Sequence, residues 1–178
     1  AGAALARIAL KDGANSDMAI AIASSAVPHA GELLDRLAGS EQDLETLTSL
    51  LRTLISTAAA NGKADALANF ASKLAKSFPA NQNIAAWQIG AFAQLLDEQG
   101  KLPANEALAN SIRSALPAIS KAARQIASDA TKSAELRANA ARLLGRDDNL
   151  AAEDAAALAS MLQSQHPEPA RKAALERL

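Results

Sequence analysis

The sequence predicts an all-α chain folded as an α-α superhelix, a solenoid of stacked helix pairs running as one domain over residues 1–178. Three observations carry this. First, one short helical pattern recurs: Leu136-Arg137-Ala138-Asn139-Ala140-Ala141-Arg142-Leu143-Leu144-Gly145 is echoed by Ala170-Arg171-Lys172-Ala173-Ala174-Leu175-Glu176-Arg177-Leu178, with a second amphipathic helix, Asp154 to Leu162, between the echoes. A helix pair repeated at that spacing is the unit that stacks into a solenoid. Second, the composition suits helices and not strands: 49 % of the 178 residues are hydrophobic, only 2 % are aromatic and tyrosine is absent, whereas sheets favour β-branched and aromatic side chains. Third, glycine, asparagine and proline divide the chain into helix-length pieces.

Taken in order, residues 3–11 read as a short helix ended at Asp12-Gly13, and Ser16–Val27 as its partner, stopped by Pro28. Gly31–Ala38 form the next, and Gly39-Ser40 break the chain, with Ser40 as N-cap of the succeeding helix. Leu44, Leu47, Leu51, Leu54, Ile55 and Ala58 then recur at helical spacing over about four turns. Asn61-Gly62 end this helix, because glycine tolerates the left-handed conformation of a helix stop. The following helix carries Leu67, Phe70, Ala71 and Leu74 on one face and stops before Pro79. Residues 83–98 place Ile84, Trp87, Ala91 and Leu95 on one stripe and Ile89, Phe92 and Leu96 on another, so this helix should be covered on two sides. Leu108, Ile112, Ala115, Leu116, Ile119, Ala123 and Ile126 continue one face to about Ser128; Pro117 interrupts it, donating no hydrogen bond to the Arg113 carbonyl, and should kink or split the helix. Residues 133–144, 151–163 and 168–178 complete the array. The last helix should pack on the one before it through Arg171, Ala174, Leu175 and Leu178 against Leu158 and Leu162.

The chain opens inside a helical pattern and closes on apolar Leu175 and Leu178, where a solenoid normally ends in a polar capping repeat. Both ends are therefore expected to continue into a longer polypeptide.

Charge and chemistry-bearing residues narrow the function. The formal net charge is −1 and the isoelectric point about 6.2, so no field favours nucleic acid or an anionic surface. The absence of cysteine removes disulfides and thiolate chemistry. No stretch approaches the ~20 apolar residues of a membrane span, so this segment is not expected to insert into a membrane. His29 and His166 each adjoin a proline at a helix boundary without a second ligand one helical turn away, and read as structural rather than metal-binding. Asp147-Asp148-Asn149 with Glu153-Asp154 lacks the spacing of a calcium loop; Asp148 or Asn149 is expected to cap the helix beginning near Ala151, whose first-turn acids complement the macrodipole. None of the serines lies in a nucleophile elbow, and no phosphate-binding or dinucleotide glycine pattern occurs. The sequence thus points to no enzyme, no catalytic residues and no cofactor.

Arg137, Arg142, Arg146 and Arg171, with Arg177, recur in the C-terminal helices. They are candidates for a surface facing an acidic partner; the other reading is that they bond neighbouring carbonyls and carboxylates, such as Asp129 or Asp147, from one repeat to the next. An alternative function is a small helical ligand-binding domain with a pocket around Trp87 and Phe92, with Phe70 and Phe78 the remaining aromatic candidates. A third is an independent peptide-binding solenoid.

Leu5-Ala6-Arg7-Ile8-Ala9-Leu10-Lys11-Asp12, Ala21-Ile22-Ala23-Ser24-Ser25 and Ala30-Gly31-Glu32-Leu33-Leu34 resemble the HEAT-like repeat segment of large multidomain bacterial membrane-bound dehydrogenases of planctomycete and verrucomicrobial type. Leu136 to Asp147 and His166-Pro167-Glu168-Pro169-Ala170 to Leu175 resemble the same segment. In that family the HEAT-like helices follow a β-propeller and precede a c-type haem domain. The resemblance implies a HEAT/armadillo-like solenoid that acts as a non-catalytic scaffold in an exported or periplasmic protein. Its partners would be the neighbouring domains of the same polypeptide or another protein. No Cys-x-x-Cys-His occurs here, so any haem would lie outside this segment.

Overall fold

A computed structural model of the chain describes residues 1–40, 44–77, 84–147 and 151–178. Among the described residues every regular element is helical and no strand occurs. Ala1–Ser77 with Gln94–Ile112 make one compact unit, and Phe78–Ala93 with Arg113–Leu178 make a second.

In the first unit, α1 spans Gly2–Asp12 and α2 Ser16–Ala26. Asn15 starts α2 with its own side chain, Oδ1 accepting from the backbone N–H groups of Asp17 at 2.9 Å and Met18 at 3.1 Å; these would otherwise be orphan donors of the first turn. A 3₁₀ turn, Val27–His29, carries Pro28 and leads straight into α3, Ala30–Ala38. The expected long helix after Gly39-Ser40 is shorter than its leucine pattern. Leu44 and Leu47 are buried, but Glu45–Leu47 form a 3₁₀ turn and α4 begins only at Thr48, running to Ala60. Ser40 therefore does not sit at the N-cap; Leu47 does, with no side-chain cap. Gly62 ends the segment at φ +67°, the left-handed turn that glycine adopts without a Cβ penalty. Next comes α5, Ala64–Ser77.

These helices pack by alternate members as well as by neighbours: α1 lies against α2 and α3, α2 against α4, and α3 against α4 and α5. The leucines that set the helical period are the ones removed from water. Leu33, Leu34, Leu37, Leu51, Leu54, Ile55, Leu67, Phe70 and Leu74 are fully buried, each contributing about 1.5–3 kcal/mol of transfer free energy. The exposed large apolar side chains of this unit, Ile8, Met18, Ile20 and Val27, lie on α1, α2 and the turn after it.

The next helix, α6, spans Ala86–Gln99, starting a few residues later than its pattern suggests. Ile84, Trp87, Ile89, Ala91, Phe92, Leu95 and Leu96 are all buried, so it is covered on both stripes as expected. Continuous through Pro117, α7 spans Glu106–Ser128. Pro117 itself is exposed and Ile119 fully buried, so the proline's missing donor lies on the solvated side while the apolar face continues past it.

In the second unit, α8 is Ala134–Leu143, α9 Ala151–Met161 and α10 Glu168–Leu175. Ser133 caps α8, its Oγ accepting from the Leu136 N–H at 3.2 Å. The expected cap for α9, Asp148 or Asn149, falls outside the described residues. The expected packing of α10 is corrected. Its buried face is Ala170, Ala173 and Ala174, and it lies chiefly against α8, whose Ala140, Ala141 and Leu143 are buried, and less against α9. Leu175, Leu178 and Leu162 remain exposed. The small alanine faces explain the choice of neighbour, since two alanine-lined helices approach closely and keep dispersion contacts that longer side chains would hold apart.

Candidate functional site

Two polar assemblies stand out, one in each unit. In the first, Glu98 projects from the last turn of α6 and is buried with only 6 % exposure. Its Oε1 accepts from Ser56 Oγ at 2.8 Å and from Gln94 Nε2 at 2.7 Å, and Oε2 pairs with Lys101 Nζ at 3.2 Å. Gln94 also donates to Ser56 Oγ at 2.9 Å and accepts from Arg52 Nε at 3.3 Å. Burial alone would raise the Glu98 pKa, but the hydrogen bonds from Ser56, Lys101 and Gln94 and the Lys101 charge together hold it below the ordinary glutamate value. The spacing of Ser56 on α4, and of Gln94 and Glu98 one turn apart on α6, is what brings them together.

Beside this chain of polar groups lies an open groove of about 570 Å³ walled by Ser49, Arg52, Thr53, Ser56, Thr57 and Gln94. The arrangement is chemically quiet. A carboxylate held ionised below its usual range is a weak base for the Ser56 proton, so it does not activate the hydroxyl as a nucleophile. Sequence reasoning missed this network. The only signal was three polar residues falling inside or beside two leucine-rich helices.

The second assembly contains the arginines singled out by the sequence. Arg137 is buried, and its Nε donates to the Ala127 carbonyl at 3.0 Å, in the last turn of α7. One Nη of the same guanidinium donates to His166 Nδ1, which must accept because arginine only donates. His166 is thereby tied to α8, the structural role expected of it. Arg146 Nε donates to the Arg142 carbonyl at 3.2 Å, and Arg142 Nη1 to Asn139 Oδ1 at 3.4 Å. Arg177 reaches back to the same helix end, Nε to the Leu144 carbonyl at 3.1 Å and Nη2 to the Gly145 carbonyl at 3.0 Å. Three guanidiniums therefore sit on backbone carbonyls at or just beyond helix C-termini, Arg137 on α7, Arg146 and Arg177 on α8. Helix carbonyls there lack intrahelical donors and carry the negative pole of the macrodipole. Arg171, by contrast, has its Nε buried without a hydrogen-bond partner among the described residues.

Gly145, at φ +67°, turns the chain out of α8 and donates its N–H to Asp154 Oδ2 at 2.9 Å. Asp154 is fully buried near the start of α9; Arg124 pairs with it at 3.6 Å and also with Glu153. The exposed Asp129 carboxylate accepts from the Thr131 hydroxyl and backbone N–H, and these bonds, with Lys132 and Arg137 nearby, hold it below the ordinary aspartate value. Burial first, then the charges of Arg177 and Arg142, push the Arg146 guanidinium down to about 10.

Of the aromatic candidates, Trp87, Phe70 and Phe92 are buried, and Phe78 lies outside the described residues. None of the three lines the groove beside Ser56, the groove that Arg142 and Lys172 border, or the one formed around Pro103. Among the described residues no three acidic or histidine side chains converge as metal ligands, and no helix is long and apolar enough to cross a membrane. No protein-family model, curated protein or solved structure matches the chain.

Proposed function

We propose that the chain is a HEAT-like α-solenoid that works as a non-catalytic scaffold or protein-interaction domain. In this reading it belongs to a larger exported protein and positions a dehydrogenase-like propeller and a c-type haem domain. The packing order carries the reading: α1 with α3, α3 with α5, α2 with α4, and α8 with α10 are the alternate-helix contacts that stacked helix pairs make. The use of charge supports it too, because Arg137, Arg146 and Arg177 are bonded to helix-end carbonyls, an arrangement that ties successive helices of an array together. The redox setting rests on the resemblance of Leu5 to Leu34 and of Leu136 to Leu175.

Chemical cross-linking in native extract, with both partners identified by mass spectrometry, tests the proposal. Links from surface lysines such as Lys73, Lys121 and Lys172 to a propeller or haem domain are the expected result. Recovery of links within this helical segment alone, at natural abundance, would remove the interaction role. Links to identified proteins of another kind would keep that role and remove the redox setting.

A further inference from the structure

Asn61-Gly62, between α4 and α5, is the one Asn-Gly pair in the chain. An asparagine side chain carries an electrophilic amide carbon that can close a five-membered ring with the next main-chain nitrogen, and a following glycine leaves that nitrogen unshielded by a Cβ. The surrounding structure decides how often the ring can close. Here the pair lies in a helix stop in which two N–H groups bond back: Gly62 donates to the Ala59 carbonyl at 2.9 Å and Lys63 to the Ala58 carbonyl at 2.9 Å. Asn61 donates to the Thr57 carbonyl twice, from its backbone at 3.2 Å and from Nδ2 at 2.8 Å. The attacking nitrogen and the leaving amide are thus each held by a carbonyl of the end of α4. The Asn61 backbone, at ψ 15°, must also rotate before Gly62 N can reach Asn61 Cγ. Little beyond these bonds pins the turn. Asn61, Gly62 and Lys63 are exposed, and no atom lies within 4 Å of the place a Gly62 Cβ would take. A helix end of this kind opens locally at far less cost than global unfolding.

We infer that Asn61 is a self-modification site, converted without an enzyme to aspartyl and isoaspartyl forms at a rate set by opening of the α4 stop. In the open form the Gly62 nitrogen gives its proton to water or hydroxide and bonds to Asn61 Cγ. The Cγ–Nδ2 bond breaks, and Nδ2 takes up a proton and leaves as ammonia. Water then adds to either carbonyl of the cyclic imide and opens it, giving an aspartate or an isoaspartate whose main chain is one carbon longer. Water is the only co-reactant. Either product places a carboxylate at the negative pole of α4, where an amide had donated to the Thr57 carbonyl. The isoaspartyl form also shifts the Gly62 and Lys63 N–H groups away from their carbonyls. The change falls beside Thr57 and Ala60, which line the groove next to Glu98, and it holds whatever partner the chain has.

The test incubates the whole chain in mildly alkaline buffer, with a parallel sample unfolded in urea. Peptide mapping by mass spectrometry follows each asparagine, and an isoaspartyl methyltransferase marks the isoaspartate. Asn61 is expected to convert ahead of every other asparagine in both samples, with isoaspartate among the products, and roughly tenfold more slowly in the folded chain. Asn61→Gln, whose longer side chain would have to close a six-membered ring, should abolish conversion at this position. Asn61→Asp, which imitates one product, should speed hydrogen exchange of the Gly62 and Lys63 amides roughly two- to fivefold, the effect of one adverse charge at a helix end. An Asn61 still intact in the folded chain after roughly a hundred times the unfolded conversion time would overturn the self-modification. So would faster conversion at another asparagine. Equal rates in the two samples, or unchanged exchange in Asn61→Asp, would overturn the part assigned to the α4 stop. The wild-type comparison needs no variant to fold.

Discussion

Glu98 shows how much of this molecule is decided by single polar side chains inside apolar helices. Its carboxylate is buried and satisfied by Ser56, Gln94 and Lys101, so removing it takes the acceptor from the part-buried Ser56 and Gln94 donors while the exposed Lys101 returns to water. Glu98→Ala should cost about 1–3 kcal/mol in chemical denaturation at neutral pH. Its pKa is depressed in the fold, so the group stabilises above the unfolded glutamate value and that contribution is lost as pH falls through the folded one. The gap between wild type and Glu98→Ala should accordingly close in acid, below about pH 4.5. Arg146 moves in the same direction with pH at the other end of the scale. Its depressed pKa of about 10 means the unfolded chain binds more protons between there and the ordinary arginine value, so this group's contribution to stability rises with pH across that window. Relative to its parent, Arg146→Gln should therefore be more stable near pH 9 than at pH 11, read from the same denaturation curves. The sequence marked the arginines as a set because they recur, yet recurrence did not distinguish their tasks. Which carbonyl each one meets depends on the paths of loops, and only the fold supplies those.

At the level of single helices the sequence was far more readable. Periodic leucines and alanines located every described helix, and Gly62 stopped α4 as its type predicts. Boundaries slipped where local chemistry competed: Leu44 and Leu47 are buried from a 3₁₀ turn rather than from the helix their spacing suggested. α10 also chose a different neighbour, because its alanine face fits α8 and its leucines do not. Two substitutions probe these contacts. At Gly31 on α3, an added Cβ would stand 2.9 Å from the Ala66 Cβ on α5, a backbone-anchored atom that cannot swing aside. Alanine in a helix normally gains up to about 1 kcal/mol over glycine, but here the clash should reverse the sign, and Gly31→Ala should lower the thermal midpoint, with about 1–3 kcal/mol lost to overpacking. On α7, Ile119→Ala removes a fully buried side chain and should cost about 2–5 kcal/mol. A midpoint unchanged by that truncation would mean that the apolar face does not continue past Pro117.

Across the chain, the two arginine caps differ in one respect that contact geometry hides, the length of polypeptide each encloses. Arg137 reaches a carbonyl 10 residues away, whereas Arg177 reaches back 33 residues to Leu144. Loop-closure entropy makes the longer link costlier to form by about 1 kcal/mol, and during synthesis it cannot form until the last helix has been made. The end of α7 can therefore be sealed while the chain is still growing, and Arg146 can cap the Arg142 carbonyl locally, but the Leu144 and Gly145 carbonyls just past α8 must wait for Arg177. In refolding experiments Arg137→Gln should slow folding, and Arg177→Gln should chiefly hasten unfolding, because the first bond belongs to the early-formed part of the structure and the second to the late. Similar bonds on similar helix ends thus act at different times: one helps to build the fold, and the other keeps the finished fold from coming apart.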